Sequence, residues 1–147
     1  MTERAIQSPH AVSHQRLSPV PSVLRCGVSL FGIKLCLATL GFRRTYLVID
    51  KIVRRTPRCS NPDTDVINTI ARHVITAAAL QPGRAQCLEQ SLALYYCLRR
   101  AGIAAEFRMG AKLNPFSGHA WVEYDGAPIL EDPEHFAGFV PFPTLRS

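Results

Sequence analysis

The chain has no Cys-x-x-Cys pair, no Gly-x-Gly-x-x-Gly and no Gly-x-x-x-x-Gly-Lys-Ser/Thr run. The first absence removes the usual tetrahedral zinc frameworks, and the other two remove sequence support for nucleotide binding. No metal or cofactor is therefore expected. Acid is the scarcer charge, with 11 Asp and Glu against 17 Lys and Arg and a formal net charge of +6. Such a balance suits an acidic peptide, a nucleic acid or a membrane surface, without choosing among them. Nucleic acid ranks low, because no binding motif and no aromatic interleaving accompany the charge. The N-terminus, MTERAIQSPHAVSHQ, lacks the apolar run of a secretory signal. Cysteines are odd in number and irregularly spaced (Cys26, Cys36, Cys59, Cys87 and Cys97). A disulfide framework is not expected, and a reducing cytoplasm is. The most apolar stretch, Val23 to Phe42, contains Arg25 and Lys34, and charges at that depth argue against a membrane span.

What is present is enough for one packed domain. With 47% hydrophobic residues over 147 positions, the chain can bury a core. Residues 1–21 are rich in Ser, Pro, His and Gln and read as a tail, residues 22–60 as a helical arm, and residues 61–147 as the core domain. In the arm, Leu24, Val28, Phe31, Leu35 and Leu40 recur at near-helical spacing. Gly41 is expected to break the arm into two helices, the second over Arg43 to Val53 with Leu47, Ile49 and Ile52 inward. Asn61 or Asp63 would cap a further helix, with Pro62 at its first position and a stripe through Val66, Ile67, Ile70, Val74 and Ala78. Gln81-Pro-Gly ends it. A third helix runs from Cys87 to Arg100, with Gly102 as its stop and arginines in its last turn.

After Gly102 the period changes from helix to strand. Ile103 to Lys112 and His119 to Tyr124 read as strands, Asp125-Gly126 as a hairpin turn, and Pro128 to Glu131 as the returning strand. The Phe136 to Phe142 segment, aromatic and proline-bearing, would pack over the sheet. Helices first and an antiparallel sheet afterwards make an α+β domain.

Chemistry enters at Cys87. A thiol at a helix start feels the positive end of the helix dipole, which favours thiolate, the nucleophilic form. The other four cysteines read as core. His119 opens a strand and can serve as base to such a thiol. An imidazole in that role needs an acid on its far nitrogen. The hairpin returns Glu131 and Asp132 to its neighbourhood, and in a strand only one of them can face it. Glu123 shares the face of His119 but stands about 13 Å along the strand. Cysteine, histidine and acid in this order supply nucleophile, base and orienter for thiol acyl transfer. Gln81 could add an oxyanion donor, Phe116 and Trp121 could line a substrate groove, and Arg84, Arg99, Arg100 and Arg108 could attract an acidic peptide.

These residues resemble a known group. Cys-Leu-Glu-Gln-Ser-Leu-Ala-Leu from Cys87, Arg-Arg-Ala-Gly-Ile from Arg99, and Asn-Pro-Phe-Ser-Gly-His-Ala-Trp-Val-Glu from Asn114 are similar to leader peptidases of lasso-peptide biosynthesis, in the transglutaminase-like superfamily. The resemblance covers roughly Gln81 to Phe142. It implies a transglutaminase/papain-like fold, with the nucleophile at a helix N-terminus packed on a small antiparallel sheet. It also implies hydrolysis of the bond between leader and core in a ribosomally made precursor, with Cys87 as nucleophile and His119 as base. The family acid, more usually Asp, lies twelve residues after the histidine, at Glu131; Asp132 is the rival one residue later. Residues 1–60 read as tail and helices and not as a small winged-helix-like module. The resemblance thus implies a separate leader-recognition protein as partner, alongside the precursor leader peptide and an ATP-dependent macrolactam cyclase. The apolar face of the arm would pack onto the domain or dock that recognition protein. An acyltransferase built on the same triad, or a non-catalytic peptide-binding module, remains an alternative.

Overall fold

The computed structural model describes residues 19–59, 61–83 and 86–143. The expected tail lies outside them except for its last three positions, and so does Arg84. The elements run α1 (Val23–Val53), α2 (Thr64–Ala79), α3 (Cys87–Arg100), β1 (Glu106–Leu113), β2 (Phe116–Tyr124), β3 (Ala127–Pro128), α4 (Pro133–Phe136) and β4 (Val140–Pro141). The fold is α+β: three helices packed on a four-stranded antiparallel sheet of order β3-β2-β1-β4.

Each helix begins where a side chain can take up an orphan N–H. Ser22 accepts from the backbone of Arg25, and Asp63 from that of Asp65. Asp63 is therefore the cap of α2, and Pro62 precedes that cap instead of opening the helix. At α3 the carboxylate of Glu89 accepts the backbone N–H of Gln86 at 3.0 Å. Gly41 interrupts α1 with φ of 75°, as its position in the sequence suggests.

The helices share one core with the sheet. Cys26, Leu30 and Ile33 of α1 meet Ile67, Ile70 and Val74 of α2, Leu92 and Leu98 of α3, and Phe107, Ala120 and Val122 of the sheet. Each large side chain among them stabilises the fold by about 1.5–3 kcal/mol. This inner face of α1 is not the expected one. Leu24, Val28, Phe31 and Leu35 are exposed, and beyond Gly41 Leu47 and Ile52 are exposed while Thr45, Ile49 and Val53 are buried. The helix is apolar on two sides, so periodicity alone could not say which side faces the core. By length and composition α1 could cross a membrane, yet one face is built into the domain.

The sheet also departs from expectation. β2 begins at Phe116 and not at His119, making a two-residue connection from Leu113, its partner in the register. The returning strand is only Ala127–Pro128; Ile129 adds one bond to the Val122 carbonyl at 2.9 Å. Leu130 then turns to φ of 51° and takes Glu131 out of the ladder. β4, which carries no strand pattern of its own, pairs with β1 because Gly110 leaves room. A Cβ there would lie 2.5 Å from the Val140 carbonyl oxygen and 2.9 Å from the Trp121 ring.

Candidate active site

Two contacts fix how α3 lies against β2. The Ser91 hydroxyl donates to the Ala120 carbonyl at 2.7 Å. One turn later the Tyr95 ring packs on Phe107, which is the register partner of Val122. Four helical residues rise about 6 Å and two strand residues about 6.8 Å, so helix and strand advance in step. Carried one turn back from Ser91, the same advance runs the Cys87 end of α3 toward the Gly118 side of β2. A Cβ on Gly118 would meet nothing within 4 Å among the described residues.

The same bond explains the strand edge. Carbonyls two residues apart point the same way, so Ala120 and Val122 present theirs to one side of β2. Ile129 takes the Val122 carbonyl and Ser91 takes the Ala120 carbonyl. The edge partner thus changes from a strand to a helix at the residue after His119. His119 and Glu131 meet beside this junction.

His119 is held on three sides. Its ring stacks on Trp121 with centroids 6.0 Å apart, and Phe139 lies 5.3 Å away. Its Nε2 lies 3.1 Å from the Glu131 carboxylate. With Glu131 ionised and the ring neutral, Nε2 carries the proton and donates it to that carboxylate. Nδ1 is left with its lone pair, the form a general base requires. His119 and Trp121 share one face of β2, while Ala120 and Val122 face the helical core. Cys87 is exposed, and no hydrogen bond joins its thiol to the His119 ring.

The structure separates the two candidate acids. Asp132 is exposed and accepts the Glu134 backbone N–H at 3.0 Å, which makes it a cap for α4; Glu131 is the residue on the imidazole. Glu123 takes the Trp121 indole N–H at 2.8 Å and pairs with Arg108, a structural role on the same face.

Other candidates are reassigned. Gln81 donates to the Gly27 carbonyl at 2.7 Å, which ties the end of α2 to α1 and gives its amide a role in the scaffold. Trp121 is 1% exposed and belongs to the interior, packed edge-on against Phe136, instead of lining a groove. Phe116 is exposed at the start of β2. Arg99 is buried and Arg108 is paired with Glu106 and Glu123, so neither offers a free charge; Arg100 is exposed. Cys26 and Cys97 are core thiols whose sulfurs lie 3.8 Å apart. Burial and the contact with Cys26 push the Cys97 thiol up, the contact counting most, while the same contact lowers Cys26.

Sequence reasoning passed over Ser91 and Phe139. Ser91 stands four residues after Cys87, on the same helix face, and that spacing was a usable signal. Phe139 lies in the segment expected to pack over the sheet, but that its partner would be His119 is set by tertiary packing, which no local pattern carries. Among the described residues, no group of three or more His, Cys, Asp or Glu side chains could hold a metal.

No curated protein and no solved structure matches the chain. The profile described as the transglutaminase-like superfamily does, over residues 28–144, a span that takes in α1 from its second turn, the helix of Cys87 and all four strands. Activity of the cysteine peptidase or acyltransferase type goes with that superfamily, and a thiol-bearing helix start set against a histidine strand is the architecture such chemistry uses. By that match over most of its sequence, this chain belongs to the transglutaminase-like superfamily.

Proposed function

We propose that the protein is a cysteine peptidase that cuts the leader from the core of a ribosomally made lasso-peptide precursor. The observation that carries the reading is the His119–Glu131 pair at 3.1 Å, on the strand whose Ala120 carbonyl takes the Ser91 hydroxyl from the helix that begins at Cys87. The substrate identity rests on the resemblance of the Cys87, Arg99 and Asn114 segments. In this reading Nδ1 of His119 takes the thiol proton and the sulfur attacks the scissile carbonyl. Substrate binding draws ring and thiol together around the strand edge, as catalytic hydrogen bonds often tighten only in the complex.

The oxyanion is met by the backbone N–H of Cys87, one of the N–H groups that a helix start leaves without an intrahelical acceptor. His119 then returns its proton to the departing amine. Water attacks the thioester, and the Glu131 carboxylate stabilises the imidazolium at each stage. The enzyme works in the cytoplasm, with a separate leader-recognition protein delivering the precursor and an ATP-dependent cyclase taking the freed core.

The test is to mix protein, precursor and recognition protein and weigh the products. Hydrolysis leaves a leader with a free carboxyl end. An adduct with an added amine would instead identify an acyltransferase, and unchanged function in Cys87→Ala would identify a binding module.

A further inference from the structure

The outer face of α1 is apolar and, among the described residues, has no partner. Projected at 3.6 residues per turn, Leu24, Val28, Phe31 and Leu35 fall within about 60° of one another. Their exposures are 78%, 66%, 63% and 58%. Cys26, Leu30 and Ile33, on the opposite side, are fixed in the core. The exposed stripe is therefore not a helix waiting to fold back; its other half already holds the domain together. Four adjoining large apolar side chains in water are costly unless something covers them.

The charge around the stripe says what covers it. Arg25 and Lys34 lie at roughly right angles to it, one on each flank. Arg43 and Arg44 follow just beyond the Gly41 break, both exposed. No acidic residue occurs from Arg4 to Ile49. Lys34 is within 3.8 Å of Glu89, and that carboxylate comes from α3. An apolar stripe flanked on both sides by cations, on a helical half that carries no acid, is the pattern of a helix lying in a lipid interface. A second copy of the chain would bring like charges together along the same seam. Lipid headgroups of negative charge complement them, and the cytoplasmic leaflet presents such a surface.

We infer that the first half of α1 docks the protein on an anionic lipid surface, with Leu24, Val28, Phe31 and Leu35 in the acyl boundary and Arg25 and Lys34 at the headgroups. The inference is independent of the reaction catalysed. Lys34 contacts the helix that begins at Cys87, so docking would hold the α3 start close to the lipid.

The experiment is co-sedimentation of the full chain with vesicles of phosphatidylcholine alone and with vesicles of equal parts phosphatidylcholine and phosphatidylglycerol. Binding is expected to the mixed vesicles only, and to weaken as salt rises. Phe31→Ser with Leu35→Ser should reduce it about tenfold or more, with circular dichroism unchanged because both side chains are already in solvent. Arg25→Gln should reduce it about fivefold. Equal partitioning to both vesicle types, or no loss in the double variant, overturns the inference. So does a concentration-dependent dimer, or a complex with the recognition protein, that the double variant dissolves while vesicles bind neither form.

Discussion

The two faces of β2 divide the labour of this protein. On one, Ala120 and Val122 close the helical core with Leu92, Phe107 and the inner side of α1. On the other, His119 and Glu123 are partly accessible on either side of the buried Trp121, in a row joined to acids and rings. Alternation along one strand thus places a packing surface and a chemical surface one residue apart. Substitutions on the first should cost stability and spare the chemistry of whatever remains folded. Substitutions on the second should do the reverse.

The largest effect is expected from His119→Ala. Losing a positioned base lowers hydrolysis by about 10²–10⁴-fold, while the denaturation midpoint moves little. Kinetics and urea unfolding on the same preparation check both halves. Trp121→Ala tests the contrast from within, because this residue faces the chemical side yet is fully buried. It should cost about 3–5 kcal/mol and also release the His119 ring, so activity falls even where the variant stays folded. On the core face, Leu92→Ala should cost about 2–5 kcal/mol, with turnover per folded molecule retained.

The adjacent acids sharpen the comparison further. Glu131→Gln should slow turnover by about tenfold or more through loss of the charge that steadies the imidazolium. Asp132→Asn removes part of a cap and should leave turnover near wild type. Comparable losses in both variants would undo the assignment of Glu131.

The smallest effect is alkaline. Burial, the charge of Asp50 and the hydrogen bond to it hold the Tyr95 hydroxyl well above the usual tyrosine range. A group whose folded pKa is raised lends stability below its unfolded value and loses it as pH climbs toward the folded one. Stability should therefore decline above about pH 10. Thermal melts of Tyr95→Phe, which has no proton to lose there, should show a shallower decline.

How much of this could be read in the sequence depended on whether one rule or several governed a segment. In α2 only one side is apolar, and Ile67, Ile70, Val74 and Ala78 are buried as the spacing requires. In α1 two sides are apolar, and the choice between them was made by neighbours elsewhere in the chain. α3 matched from Cys87 to Arg100, because Pro82-Gly83 before it and Gly102 after it leave little freedom. Asp125 and Gly126 both adopt positive φ, at 51° and 76°, the turn their pairing predicts. That turn placed Glu131 near His119 even though the strand behind it proved shorter than expected. The left-handed turn at Leu130 decided between Glu131 and Asp132, and leucine gives no hint of such a conformation. β4 was invisible because Val140 and Pro141 become a strand only by lying against Gly110 and Ala111.

The account rests on the Cys87 thiol and the His119 ring working as one unit. The most direct measurement is the rate at which iodoacetamide alkylates Cys87 at neutral pH, followed by mass spectrometry in the wild-type protein and in His119→Ala. The account predicts alkylation about tenfold or more slower once the imidazole is gone. Equal rates in the two proteins would contradict it.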